Sequence, residues 1–126
     1  MERTPGQTRV FVVDDEANIA FTLAAILRIH GFDARHFTEP HAAMSAARLD
    51  CPDLLISDVV MPLLSGIELA IQMRECCPEC RILLFSGQAV NFDMLQSAED
   101  NGHHFEVLLK PVHPNVLLDK IRKRKL

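Results

Sequence analysis

The sequence predicts an α/β fold: one domain over residues 1–126, built on a five-stranded parallel sheet with five helices on its two faces. Three observations predict it. Short apolar runs alternate with helical patterns five times along the chain. The connections are brief, which suits right-handed crossovers between parallel strands. The polar residues that end the apolar runs fall at their C-terminal ends, where sheets of this kind bind ligands.

The elements follow in order. Arg9–Val13, containing VFVV, is the first strand and stops at Asp14-Asp15-Glu16. Ala20, Leu23, Ala24 and Leu27 lie at i, i+3, i+4 and i+7, one face of a first helix. That helix is expected to stop at His30-Gly31, where glycine takes the left-handed conformation. Asp33–Phe37 is the second strand. Thr38-Glu39-Pro40 opens the second helix, with proline tolerated in the first turn and Ala43, Ala46 and Ala47 as the buried stripe.

Leu54–Ser57 is the third strand, a short apolar run suited to burial on both faces. It ends on the carboxylate of Asp58, and Met61-Pro62 then turns the chain away. Ser65 and Glu68 have the spacing of a capping box, with Ile67, Ala70 and Ile71 inward. Arg81–Phe85 is the fourth strand and ends in Ser86-Gly87. Asn91 caps a helical pattern that continues to Asp100 and stops at Asn101-Gly102. Phe105–Leu109 is the fifth strand, ending in Lys110-Pro111. His113-Pro114 starts the last helix, with Leu117, Leu118 and Ile121 inward.

Apolar residues make up 48% of the 126, enough for one core. No stretch approaches the roughly 18 apolar residues of a membrane span, so no membrane insertion is expected. The N-terminal MERTPGQTR has no apolar segment of a secretory signal, and a cytoplasmic location is expected. A net charge of −4 argues against general nucleic-acid binding. The basic tail Arg122-Lys123-Arg124-Lys125 reads as a solvated helix end favoured by the helix dipole. Cys77-Pro78-Glu79-Cys80 has C-x-x-C spacing, yet no second ligand pair follows and the motif precedes a strand rather than opening a helix. Cys51, Cys76, Cys77 and Cys80 are therefore expected to be reduced, incidental thiols.

Three acids, a hydroxyl and an amine converge on one edge of this sheet: Asp14, Asp15, Asp58, Ser86 and Lys110. Clustered carboxylates repel one another and raise a pKa or require a cation. Oxygen ligands suit a hard divalent ion, Mg²⁺ or Mn²⁺. A carboxylate can also act as a nucleophile toward phosphorus, and phosphoryl transfer chiefly needs positioning and positive charge. Singly, each residue has an ordinary explanation as an N-cap, a turn or a surface loop. Their joint placement at the ends of strands one, three, four and five is what carries the chemical reading.

The segments VFVVDDE at 10–16, LLISDVVMPLLSGIEL at 54–69, ILLFSG at 82–87 and LLKP at 108–111 resemble the receiver domain of two-component response regulators, of the single-domain kind typified by the chemotaxis regulator. The resemblance implies a doubly wound, flavodoxin-like sheet of order 2-1-3-4-5. It implies that Asp58 accepts a phosphoryl group from a histidine kinase or phosphotransfer protein. Asp15 and Asp58 would bind Mg²⁺ directly, Asp14 through a water, and the Val60 carbonyl would complete the protein ligands. Ser86 would hydrogen-bond the phosphoryl group and Lys110 would ion-pair with it. The Lys110–Pro111 bond would be cis.

Some features depart from the family pattern. Receivers carry Tyr or Phe three residues before the lysine, where this chain has Val107; the nearest aromatic is Phe105. Either a bulge brings Phe105 into that role or there is no aromatic switch, and the register of Val107 with Lys110 favours the second. Val60 and Gln88 flank the site in positions that tune hydrolysis; apolar Val60 favours a long-lived phosphoryl-aspartate. His103 and His104 read as a polar loop.

Such a domain catalyses only its own phosphorylation and dephosphorylation. Its output would be a change at the face of the Asn91–Asp100 helix, the fifth strand and the last helix, read by a downstream protein or by a second copy in a dimer. No residues remain for an output domain, although the chain would also fit a piece of a longer regulator. The alternative is an aspartate-nucleophile, Mg-dependent phosphatase of haloacid-dehalogenase type, whose nucleophile would end the first strand within D-x-D, where this chain has DDE. A third reading, a receiver that no longer takes phosphate, conflicts with the retention of all the site residues.

Overall fold

A computed structural model describes residues 7–61, 65–86, 102, 105–110 and 113–122. The elements are β1 (Arg9–Val13), α1 (Ala17–Ile29), β2 (Asp33–Phe37), α2 (Pro40–Leu49), β3 (Leu54–Asp58), α3 (Gly66–Cys76), β4 (Arg81–Ser86), β5 (Glu106–Leu109) and α4 (Pro114–Arg122). The strands form one parallel sheet in the order β2-β1-β3-β4-β5, as expected. Four helices fall among the described residues. The expected Asn91–Asp100 helix lies outside them, as do Pro62, Gly87, Gln88, His103, His104, Pro111 and the tail beyond Arg122.

Strand side chains alternate between faces, and this period of two sorts the core into two halves. Phe11, Val13, Leu55, Ile82 and Leu84 pack against α2 and α3. Val10, Val12, Leu54, Ile56, Leu83 and Phe85 pack against α1 and α4. Each such buried aliphatic or aromatic side chain contributes roughly 1.5–3 kcal/mol. β3, central and covered on both sides, accordingly reads as an unbroken apolar run, whereas the edge strand β2 exposes Arg35 and His36.

The helices bear out most of the expected faces. α1 buries Ala20, Ala24 and Leu27 and ends before Gly31, whose φ of 93° demands glycine. α3 starts on the expected capping box, Ser65 and Glu68 each accepting the other's backbone N–H. Two stripes shift. α2 buries Met44 with Pro40, Ala43 and Ala47, leaving Ala46 half-covered. α3 buries Leu69 and Met73 with Ile67 and Ala70, leaving Ile71 at the margin. In both, the rotation of the helix against the sheet decides which neighbouring residues face inward.

The cysteines correct the expectation of four reduced thiols. Cys51 and Cys77 are joined by a disulfide across 26 residues, while Cys76 and Cys80 are free. The C-x-x-C is thus not a unit. The β3–α3 crossover returns the chain so that the end of α3 meets the residues entering β3, a proximity that local spacing does not show.

Arg81 organises the far side of the sheet. Its guanidinium donates to Glu106 Oε1 at 2.9 and 3.1 Å and to the carbonyls of Lys120 and Ile121 at 2.9 and 3.0 Å. One side chain therefore satisfies carbonyls in the last turn of α4 and clamps that helix to the start of β5. Arg81→Ala is expected to destabilise the protein by about 1.5–3 kcal/mol, the range for hydrogen bonds to charged groups. Urea unfolding measures this; an unchanged midpoint would make the clamp energetically neutral.

Candidate functional site

The parallel sheet puts all five C-terminal strand ends on one edge. At that edge the polar residues predicted from the sequence meet. β3 and β4 each run one residue past their apolar segment, so Asp58 and Ser86 are the last residues of their strands. The backbone ladder continues beyond them: Val59 N–H donates to the Phe85 carbonyl at 2.9 Å, and Lys110 N–H donates to the Ser86 carbonyl at 2.7 Å. The position of Lys110 is therefore set by backbone pairing rather than by its flexible stem alone. At β1, Asp14 N–H donates to the Phe37 carbonyl at 3.1 Å, and Asp14 Oδ1 accepts from Glu16 N–H at 3.0 Å. Asp14 thus also fills the ordinary turn role, while its second oxygen points to the site.

Lys110 Nζ lies 3.4 Å from Asp14 Oδ2 and 3.4 Å from Asp58 Oδ2. Carboxylate oxygens of Asp14, Asp15 and Asp58 all lie within 4.8 Å of one another. The Asp14 side chain is almost wholly enclosed, that of Asp58 largely so, and Asp15 is exposed. Ser86 is buried at the end of β4. Val60 is 62% exposed two residues past Asp58, and its side chain is apolar. Every predicted site residue among those described therefore reaches this edge.

The electrostatics show an incompletely balanced pocket. Burial raises the Asp58 carboxyl above its ordinary range; Lys110 opposes this, and the charges of Asp14 and Asp15 add to it. Burial works against the Lys110 ammonium, but Asp14 and Asp58 outweigh it and hold its pKa above the ordinary value. One lysine against three carboxylates leaves excess negative charge in a partly desolvated cup. Oxygen-only donors this close fit a hard divalent cation.

Because the folded Asp58 carboxyl holds its proton more tightly than the unfolded chain does, metal-free stability falls as pH rises from the unfolded value of about 4 through the raised folded one. A divalent ion held by the three carboxylates would relieve that loss at neutral pH. Mg²⁺ at about a hundred times its dissociation constant is expected to add about 2.7 kcal/mol, and this gain is expected to vanish in Asp58→Asn. Denaturation with and without Mg²⁺ checks both statements.

Two structural features here escaped the sequence-based expectations. The first is Gly66. Its N–H donates to the Val59 carbonyl at 2.7 Å, and a Cβ built on it would overlap the Asp58 carbonyl oxygen. Its pairing with Ser65 in a helix-start motif signalled a cap, not this approach. The second is the ring of Phe105, which lies under the Arg74 guanidinium at 5.6 Å. β5 pairs with β4 residue for residue, Val107 opposite Leu84, so no bulge within the ladder moves Phe105 into the place of Val107.

Comparisons with known proteins agree with this fold. The family described as "Response regulator receiver domain" matches residues 10–122. The chain is 30% identical over 115 residues to the response regulator receiver protein CpdR of Brucella abortus, covering 91% of this chain and 94% of that one. It is 28% identical over 116 residues to the DNA-binding response regulator MtrA of Mycolicibacterium paratuberculosis, covering 92% of this chain and 50% of that one. The chain thus spans about half the length of MtrA. The solved structure of the Vibrio cholerae chemotaxis protein CheY4 superimposes with a TM-score of 0.83 at 24% identity, over 94% of this chain and 98% of that one, a likeness of fold.

Proposed function

The chain belongs to the response regulator receiver domain family, and from that premise we propose that it accepts a phosphoryl group on Asp58 in a Mg²⁺-dependent reaction and changes a partner-binding face in response. The observation that carries the proposal is the shared geometry of Lys110, 3.4 Å from both Asp14 and Asp58, at the rim of a parallel sheet. The haloacid-dehalogenase alternative finds no support: the candidate nucleophile ends β3, not β1, and the family match is to receivers.

The donor is a phosphohistidine on a histidine kinase or phosphotransfer protein. An Asp58 carboxylate oxygen forms the new O–P bond as the N–P bond to the donor imidazole breaks, and the electron pair returns to that imidazole. Asp14, Asp15 and Asp58, with the Val60 carbonyl, would hold Mg²⁺ or Mn²⁺. When bound, the ion supplies positive charge to the phosphoryl oxygens. Lys110 pairs with the phosphoryl group, and the Ser86 hydroxyl donates a hydrogen bond to it. Drawing those two groups toward Asp58 pulls on the ends of β4 and β5, because the Lys110 N–H is bonded to the Ser86 carbonyl. Leu109 on β5 and Val116 on α4 are exposed by 66% and 53%, and each is an apolar side chain open to a downstream protein.

The test is mass spectrometry after incubation with acetyl phosphate and Mg²⁺. One phosphoryl group per chain is expected on the wild type and none on Asp58→Asn. A phosphorylated Asp58→Asn protein would place the acceptor elsewhere, and turnover of a general phosphatase substrate would favour an enzyme.

A further inference from the structure

The end of the domain opposite the acid pocket carries a second donor set, of different chemistry. Cys51 lies just before β3, Cys76 is the last residue of α3, and Cys77 caps that helix. A sulfur from each lies within 4.8 Å of the other two. Cys51 is exposed, Cys76 half-buried and Cys77 buried, so the cluster runs from solvent into the core margin. Cys51 and Cys77 are joined, with Cα atoms 5.8 Å apart. A structural cross-link needs two cysteines, and the third sulfur is what requires an explanation. Cys80 does not belong to the set: it is buried, and burial pushes its thiol up to about 12.

Reduced, the three cysteines are thiols whose protons a metal ion can displace, because the thiolate is the metal ligand. Soft thiolate ligands select soft ions such as Cu(I) and Zn²⁺. Structural zinc takes four protein ligands; this group, among the described residues, offers three and no imidazole or carboxylate. Three sulfurs suit Cu(I), which accepts trigonal coordination.

We propose that Cys51, Cys76 and Cys77 form a Cu(I)-binding site, of which the Cys51–Cys77 disulfide is the oxidised, metal-free form. The interconversion balances with a dithiol as reductant. Two electrons and two protons pass from the dithiol to the Cys51–Cys77 bond, giving two thiols and the reductant's own disulfide. Cu(I) then displaces the thiol protons of the three cysteines and keeps its oxidation state. The site is independent of the acid pocket, since hard Mg²⁺ and soft Cu(I) seek different donors.

The experiment is an anaerobic titration of the dithiol-reduced protein with Cu(I) against a competing Cu(I) chelator, with metal counted by native mass spectrometry. One copper per chain is expected, unchanged by excess Mg²⁺. Cys51→Ser and Cys76→Ser, at the accessible positions, are expected to weaken binding by more than about a hundredfold, beyond the loss caused by removing an outer-shell partner. Cys80→Ser is expected to bind as the wild type does, and oxidised wild type to bind only after reduction. Wild-type affinity in Cys76→Ser, equal binding by the oxidised protein, or no stoichiometric copper on the reduced wild type would each overturn the assignment.

Discussion

Gly66→Ala is expected to destabilise the protein by about 3 kcal/mol or more, at the upper end of overpacking substitutions. The added methyl would overlap the Asp58 carbonyl oxygen and sit 2.8 Å from the Asp58 carbonyl carbon and 2.9 Å from Val59 Cα. All three obstacles are backbone, so no rotamer change makes room. Close approach, not a left-handed backbone, excludes a side chain here. The collision falls on the residue proposed to carry phosphorus, and α3 must retreat or the end of β3 must move. Either adjustment lengthens the 2.7 Å hydrogen bond from Gly66 N–H to the Val59 carbonyl. Chemical denaturation measures the loss, and acetyl phosphate labelling of the folded fraction reads the displacement of Asp58. Stability within roughly 0.5 kcal/mol of wild type, the scale of an ordinary surface change, would mean that α3 does not press on β3 as described.

Lys110→Ala is expected to lower the rate of phosphoryl transfer to Asp58 by roughly 10²–10³-fold, the usual loss when one preorganised electrostatic partner of a transition state is removed. Lys110 is the cation placed at 3.4 Å from both Asp14 and Asp58. Without it the pocket keeps its three carboxylates, and in the proposed reaction the phosphoryl charge would be balanced by the metal and the Ser86 hydroxyl only. The Asp58 carboxyl, already raised by burial and by Asp14 and Asp15, is expected to rise further because Lys110 is what opposes them. Single-turnover labelling over a pH series separates these effects. A rate loss that recovers at high pH would assign Lys110 chiefly to ionising Asp58, and a loss constant with pH assigns it to the transition state. Lys110→Arg tests position: the guanidinium keeps the charge but not the compact ammonium geometry.

Much of the site was legible in the sequence because its physical causes are local. An apolar run such as Leu54–Ser57 that ends on an unpaired acid stands out at once, and alternation of such runs with helical patterns implies that their ends share an edge. The same logic brought Ser86 and Lys110 to that edge with no knowledge of distance. Caps were equally readable: Ser65 with Glu68 and the stop at Gly31 each involve atoms within a few residues.

What escaped depends on residues far apart in the chain. Arg81 reaching the carbonyls of Lys120 and Ile121, Cys51 meeting Cys77, and Gly66 pressing on Asp58 each require the register of a strand and the seating of a helix on it. The inward turn of Met44 in place of Ala46 has the same origin. Periodicity of hydrophobic residues by itself determined the strands, the four described helices, the parallel sheet and the edge at which the acids gather, because burial of apolar surface acts on each segment separately. Only the tertiary structure decided which helix faces turn inward, which cysteines pair and how closely α3 approaches Asp58, because those are set by packing between segments that have no neighbour relation in the sequence.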